Sequence, residues 1–494
     1  MRRRDFLKGV AAGAAVGIVG GGLAGYSVAP TPEVYWKLPY KWDLEADVVV
    51  LGFGAAGAAA AIEAASKDAS VIVLDKAATP GGTTLMSGAS MHVWNSEVQE
   101  AKGMHVDVQE EVRLEQEALK RSHWEQPYPQ RIFRFVTTSG QEVGDWLEEL
   151  GMTFASVSPS SLRGEGGGAG LTSLLRDVAE SKGIAVQTET EAVQLVARPD
   201  SKMVLGVVAE AGGAELFVKA LRGVVNACGG FSASKEMLKL SSPVGYAAIP
   251  MTAETSTGDG IRLAQALGAA LSGMHIAGAP PAVLEAGSRM QYYGRRISAI
   301  FVNERGNRFC DEGGPSREIN EAVFLQLGSH AWLITDSTQV AESKGSGIHS
   351  SFSDDLSNEV SAGMVMAAES IEDLAEAIEV DPENLRTTVE TWNSWAKTEK
   401  KDRGYGRVDK PTFTFSTIEG PIFYAVELVP CINETLGGLV ADAESRVIDA
   451  EGIPVPRLYA AGDVVREGAV STIGEALFFG KLAGRNAASE SPWA

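Results

Sequence analysis

Gly52, Gly54 and Gly57 stand at GxGxxG spacing between an apolar run, Val48 to Leu51, and an alanine-rich stretch, and Asp75 ends the next apolar run 23 residues after Gly52. Glycines at these positions let a backbone approach a pyrophosphate at a helix N-terminus, and a carboxylate at that distance takes ribose hydroxyls. The pattern predicts strand, tight turn, helix and second strand around a dinucleotide, and leaves open whether a nicotinamide or a flavin. A second glycine-rich loop, "TPGGTTLMSGAS" from Thr79 to Ser90, follows the acid directly and can run along a pyrophosphate and a flavin. Near the C-terminus "RLYAAGDV" places Asp463 after a strand. A helix then starts in "STIGEALFFGKLAGRNAA", where Thr472 and Glu475 have capping-box spacing and the positive helix end could face an electron-rich ring.

The stretch "VNERGNRFCDEGGPSRE", Val302 to Glu318, is the densest in charge and glycine. A solvated hairpin with Arg305-Gly306 as its turn accounts for most of it. Arg317 is left over. Two further arginines stand out, Arg295 in "QYYGRRISAIF" and Arg466 in "GDVVREGAVSTIG". Guanidinium forks suit a carboxylate bidentately.

Taken in order, the GxGxxG with Asp75, "PGGTTLMSGAS", "VVNACGGF", "STGDGIRLAQALGA", "IFVNERGNRF", "TLGGL" and "LYAAGDV" resemble the FAD-dependent fumarate reductase and 3-ketosteroid dehydrogenase superfamily, from Asp47 to about Ala488. The resemblance implies an α/β fold with a discontinuous Rossmann-like FAD-binding domain, residues 42–247 and 419–494, and an inserted α+β substrate-capping domain, residues 248–418. It implies FAD contacts at Gly52, Gly54, Gly57, Asp75, Lys76, Gly81, Gly82, Thr83, Thr84, Ser87, Gly88, Asp259, Gly437, Gly438, Gly462, Asp463, Thr472 and Ile473. Members that tether the flavin carry a histidine in the second glycine loop; Gly82-Thr83-Thr84 here implies noncovalent FAD. In the cap, "DPENLRTTVETWNSWAKT" reads as a helix with Asp381 as N-cap and Pro382 at N1.

The same resemblance assigns Arg317, shifted by one residue, to the place of the reductases' proton donor, with Glu318 or Glu312 as the acid that returns the proton. The alternative for Arg317 is a structural ion pair at a domain seam. Arg295 and Arg466 fall near the reductases' proton pathway and carboxylate clamp. Departures matter as much. Two histidines of the fumarate-reducing members are replaced by Ala279, before Pro280, and by Glu434. A Glu434 charge about 4 Å from a second substrate carboxylate would repel it by about 4 kcal/mol at an effective dielectric near 20, which disfavours a C4-dicarboxylate. The tyrosines of the steroid enzymes are likewise replaced, by Ser316 or Arg317 and by Arg466, although Tyr292, Tyr293 and Tyr424 offer phenols. His92 and His275 fit an ordinary core or surface role better than a site role.

Composition sets the outer bounds. With 494 residues, 45% apolar and 22% charged, the chain can bury two domains. The 55 glycines exceed the ~7% average and imply many close backbone approaches. A formal charge of -21 argues against polyanionic partners, nucleic acid or an anionic bilayer surface among them. Cys228, Cys310 and Cys431 form no CxxC or CxxCH, so no metal site or covalent haem is expected. At the N-terminus, residues 1–30, Arg3-Arg4-Asp5-Phe6-Leu7-Lys8 before the Gly/Ala-rich run Gly9 to Gly25 resembles a twin-arginine export signal.

The expected function is an exported, periplasmic or extracytoplasmic membrane-associated FAD oxidoreductase that adds or removes hydrogen across a C=C bond beside a carbonyl or carboxylate. Hydride moves at flavin N5 and Arg317 handles the proton. Its electrons come from a separate cytochrome or quinone-linked partner. A 3-ketosteroid-type dehydrogenase and a non-catalytic flavin electron-transfer subunit are the alternatives.

Overall fold

An unbroken apolar strand is buried on both faces only inside a mostly parallel sheet. Leu44–Leu51 (β1), where Val48, Val49 and Val50 have no exposed surface, occupies that place. The computed structural model describes residues 32–493 except 122–127, 276, 279, 286–287, 292–296, 344–347, 349–351, 400, 408–414 and 466–471. From Glu33 onward the described residues form one compact unit.

After β1 the chain runs through helix Ala55–Ala65 (α1) to Val71–Leu74 (β2) and later Ala185–Gln187 (β3). An antiparallel meander, Thr190–Ala197 (β4) and Val204–Ala211 (β5), leads to the long strand Ala214–Asn226 (β6). β1 lies between β2 and β6, parallel to both, and β3 continues the sheet beyond β2. Alternation along β1 feeds two cores: Val48 and Val50 pack with α1, while Val49 and Leu51 face helix Asp259–Ala266 (α2) through Ile261 and Leu263.

A second, antiparallel sheet holds Ala282–Glu285 (β7), Ser288–Gln291 (β8), Ile300–Val302 (β9), Ala331–Asp336 (β10), Val365–Ala368 (β11) and Phe423–Val429 (β12). Helices Ser316–Phe324 (α3) and Pro382–Thr398 (α4) accompany it. Asp381 caps α4 as its spacing predicts, accepting from the Asn384 N–H at 2.9 Å. The second sheet occupies residues 282–429, and three two-stranded ribbons, which pair segments of 249–278 with segments of 431–439, stand in sequence between it and the first sheet. The apolar face of α2 closes the second side of the first sheet, and β12 is the strand on which β7, β10 and β11 all pair.

The charged hairpin is not a solvated loop. Gly306, at φ +76°, makes the predicted turn, with the Gly306 N–H donating to Asn303 O at 2.9 Å. Arg308 and Glu312 turn inward from it. The Arg308 Nε and Nη2 donate to the two Glu312 oxygens at 2.8 and 2.7 Å, and Nη2 also to Asp402 Oδ2 at 2.8 Å. Glu312 and Asp402 are 1% and 0% exposed, and the guanidinium lies 4.8 Å from the Trp392 ring of α4.

The chain then returns with Arg446–Ile448 (β13) and Pro454–Ala460 (β14), which lies parallel beside β6, and ends in helix Thr472–Ser489 (α5). α5 packs on α1 through facing small residues: a Cβ at Gly480 would stand 2.3 Å from Ala56 O, and one at Gly484 2.1 Å from Ala60 O. Alanine at Gly484 gains about 1 kcal/mol of helix propensity but forces two backbones apart, a cost of about 1–3 kcal/mol. Gly484→Ala is therefore expected to lower the urea midpoint, and a raised midpoint would show that the helices do not meet this closely.

Candidate active site

In an open α/β sheet a ligand sits beyond the carboxyl ends of parallel strands, where neighbouring connections leave in opposite directions. Here β1, β2, β6 and β14 end together. Their following residues line a cleft: Gly52 to Ala56 after β1, Asp75 and Lys76 after β2, Ala227 to Gly229 after β6, Gly462 and Asp463 after β14. Gly52 has φ +90°, and a Cβ there would stand 2.5 Å from Ala227 O. The α1 N-terminus has no side-chain cap, so its positive end faces the cleft mouth beside Gly54. The Ala55 N–H donates to Thr84 Oγ1 at 3.0 Å, joining the first glycine loop to the second.

Asp75 is fixed before any ligand arrives. It is 8% exposed, and its two oxygens accept from Phe53 N–H and Ala77 N–H, both at 2.8 Å. Each oxygen retains a lone pair for a ribose hydroxyl. Lys76 reaches across the cleft to Thr257 and to Asp259, the first residue of α2. Burial by itself would raise the Asp259 carboxyl, but Lys76, the Thr257 hydroxyl and Arg262 outweigh it and hold it below the usual range. A second tie runs parallel, Thr83 Oγ1 to Ser256 Oγ at 3.2 Å. On the opposite wall, burial pushes the Asp463 carboxyl up to about 6.

Of the expected cofactor residues, Gly52, Gly54, Asp75, Lys76, Gly82, Thr83, Thr84, Asp259, Gly462 and Asp463 line this cleft. Gly57 packs under Gly52, where a Cβ would meet Gly52 O at 1.9 Å. Gly81, at φ +135°, starts the short helix Gly82–Leu85, and Ser87 closes it by donating to Thr84 O at 2.7 Å. Gly88 has no atom within 4 Å of a built Cβ. Gly437 and Gly438 serve packing: their Cβ positions lie 2.3 Å from Gly273 O and Val464 O. Thr472 and Ile473 open α5. Sequence reasoning passed over Cys228, Gly229, Thr255 and Ser256, which also line the cleft, although all four lie in or near motifs that signalled the fold. Burial raises the Cys228 thiol, so it stays protonated and unreactive.

Arg295, Arg466, Tyr292, Tyr293 and Ala279 lie outside the described residues. Arg317 is half-buried in the first turn of α3. Among the described residues it has no ion-pair or hydrogen-bond partner, which removes the structural ion pair as an account of it within that set. Asn320, one turn further on the same face, clamps the backbone of Cys431, its Nδ2 donating to the carbonyl at 3.0 Å and its Oδ1 accepting from the N–H at 3.1 Å. That face therefore meets the segment that carries Glu434, which is half-buried and paired across to Gly278. Glu312 is taken up by Arg308, leaving Glu318, which is exposed, as the adjacent acid. His92 is half-buried, and burial lowers its pKa; its carbonyl lies 2.5 Å from a Cβ built on Gly474 in the first turn of α5.

The cradle fits FAD: glycines where a side chain would fill the cleft, a helix N-terminus for pyrophosphate, and a fixed carboxylate for ribose. The family described as FAD binding domain matches residues 47–472. A probable fumarate reductase of Shewanella frigidimarina is 28% identical over 465 residues, covering 90% of this chain and 75% of that protein. The open conformation of a flavocytochrome c3 fumarate reductase superposes with a TM-score of 0.74 at 27% identity, covering 90% of this chain and 78% of the other. A 3-ketosteroid-Δ4-(5α)-dehydrogenase from Rhodococcus jostii RHA1 gives 0.73 at 25% identity over 93% and 100% of the two chains.

The raised Asp463 carboxyl has a consequence for the apoprotein. A carboxyl whose folded pKa lies above its unfolded value of 3.8 favours the protonated folded state, so it costs stability as pH rises from about 4 through about 6. Asp463→Asn apoprotein is expected to be more stable than wild type by about 1–3 kcal/mol above pH 6, with the gap closing below pH 4. Urea titrations across that range check it, and a gap independent of pH would contradict it.

Proposed function

The chain belongs to the FAD binding domain family and is an FAD-dependent oxidoreductase acting on carbon–carbon bonds, and from that premise we propose that it reduces or forms a C=C bond beside a carbonyl or carboxylate. When bound, the flavin supplies hydride chemistry at N5. The observation that carries the finer reading is Arg317. A cation in the first turn of a helix opposes the helix dipole by about 0.3–1 kcal/mol, and although Glu318 stands in the same turn, Arg317 forms no ion pair among the described residues. Stability does not explain the residue; proton delivery to the carbon next to the activating group does. An arginine serves as acid only if another group returns the proton, and Glu318 is the adjacent acid.

In this reading the FAD is held without a covalent bond. Gly82-Thr83-Thr84 offers hydroxyls that are already bonded to Ser256 and to the Ala55 N–H. The first sheet is the FAD-binding domain in two pieces and the second sheet the substrate cap. Arg295 and Arg466 hold the activating group, and Glu434 keeps a second carboxylate out. The chain is exported by the twin-arginine route, and a separate cytochrome or quinone-linked protein supplies electrons.

Purified Arg317→Ala holoprotein is expected to keep its visible flavin band and lose turnover by about 100-fold or more, the scale of a lost general acid. Unchanged turnover would remove the assignment. Anaerobically reduced wild type, mixed in turn with unsaturated acids, enones and steroids, is expected to reoxidise with at least one class. Reoxidation by none would favour an electron-transfer subunit.

A further inference from the structure

A segment can be held to the wall of a cleft by its backbone, in bonds that open only together, or by side chains that let go with a change of rotamer. Residues 251–258 lead into α2, and Thr255, Ser256 and Asp259 line the cleft. On the β6 side this segment is sewn by its backbone: the Ala233 N–H donates to Ser256 O at 2.9 Å, and the Gly258 N–H to Gly230 O at 3.0 Å. The buried Ser232 hydroxyl adds a bond to Thr252 Oγ1 at 2.8 Å.

The β2 side is held differently. Among the described residues, every hydrogen bond between residues 75–88 and 251–259 runs through the side chain of Lys76 or Thr83. The Lys76 ammonium donates to Thr257 Oγ1 and to the Asp259 carboxylate. Thr83 Oγ1 accepts from the Ala253 N–H at 3.3 Å and bonds to Ser256 Oγ at 3.2 Å. Lys76 and Asp259 keep 24% and 15% of their side chains exposed, whereas Asp75, the carboxylate for ribose, is buried, so the ties stand nearer to solvent than the seat they adjoin. Two of the three Lys76 protons and both sides of the Thr83 hydroxyl are spent on the segment. Both partners of each tie are protein groups, so flavin-free and loaded protein can form them alike.

We propose that Lys76 and Thr83 form a latch that closes the 251–258 segment over bound FAD, and that the breaking of these ties sets how fast the coenzyme enters and leaves. The inference rests on the noncovalent reading above, since a tethered flavin does not exchange. It assigns the two side chains a role other than direct contact with the coenzyme. A latch that closes equally well on empty and loaded protein slows entry and exit by the same factor and leaves the affinity alone, whereas a lost coenzyme contact speeds exit only.

Holoprotein chased with excess labelled FAD gives the release rate, and FAD titrated into flavin-depleted protein gives the Kd and the uptake rate. Lys76→Met and Thr83→Val, made separately, are each expected to speed both release and uptake by about tenfold, the worth of one or two side-chain hydrogen bonds, with the Kd within about threefold of wild type. A Kd in that range also shows that the variant is folded. Faster release with unchanged uptake would make these side chains coenzyme contacts, and unchanged release would show that they restrain nothing; either result overturns the latch and leaves noncovalent FAD standing. Flavin that stays with acid-precipitated wild-type protein would overturn the noncovalent reading, and the latch with it.

Discussion

Backbone crowding at the ends of four parallel strands is the constraint from which the rest follows. Gly52 meets Ala227, Gly57 meets Gly52, and Gly462 stands where a Cβ would be 2.9 Å from the Ala56 side chain. These approaches bring peptide groups and a helix end to the cleft without intervening side chains, which is what a pyrophosphate needs. They also bind distant parts of the chain together, since the partners come from β1, β6 and β14.

Charge is used sparingly and in three ways. Around the cleft, the Lys76–Asp259 pair ties two walls, and Asp463 sits partly desolvated without a described cation beside it. Under the cap hairpin, Arg308, Glu312 and Asp402 form a buried network whose removal one member at a time would strand a charge, a loss of about 3–5 kcal/mol for such groups. Arg317 belongs to neither pattern. It stands in the first turn of a helix and has no ion-pair partner among the described residues.

The first half of the cleft was legible because its signals are local: strand, glycines, helix and acid lie within 28 residues, Val48 to Asp75, and each dictates its neighbour's conformation. The second half was legible only as motifs. Ser256 meets Thr83 across 173 residues, and Thr257 meets Lys76 across 181, contacts that no periodicity announces. Gly437 and Gly438 permit close packing against Gly273 and Val464, a role the sequence does not announce, because a glycine pair reads the same whether a ligand or a backbone comes near. The hairpin misled in the other direction. Arg308 and Glu312 look solvated in sequence, and only the fold reveals Asp402 and Trp392 closing over them.

The seating of α5 on α1 has a consequence for biosynthesis. The wall containing Gly462 and Asp463, and the helix that presses on α1 through Gly480 and Gly484, are translated about 400 residues after the first glycine loop. A ribosome-bound fragment that already displays the entire N-terminal fingerprint still lacks one side of the cradle. The complete cradle therefore forms only after that later segment has been made, and the long sequence separation of the contacts that complete it slows its folding.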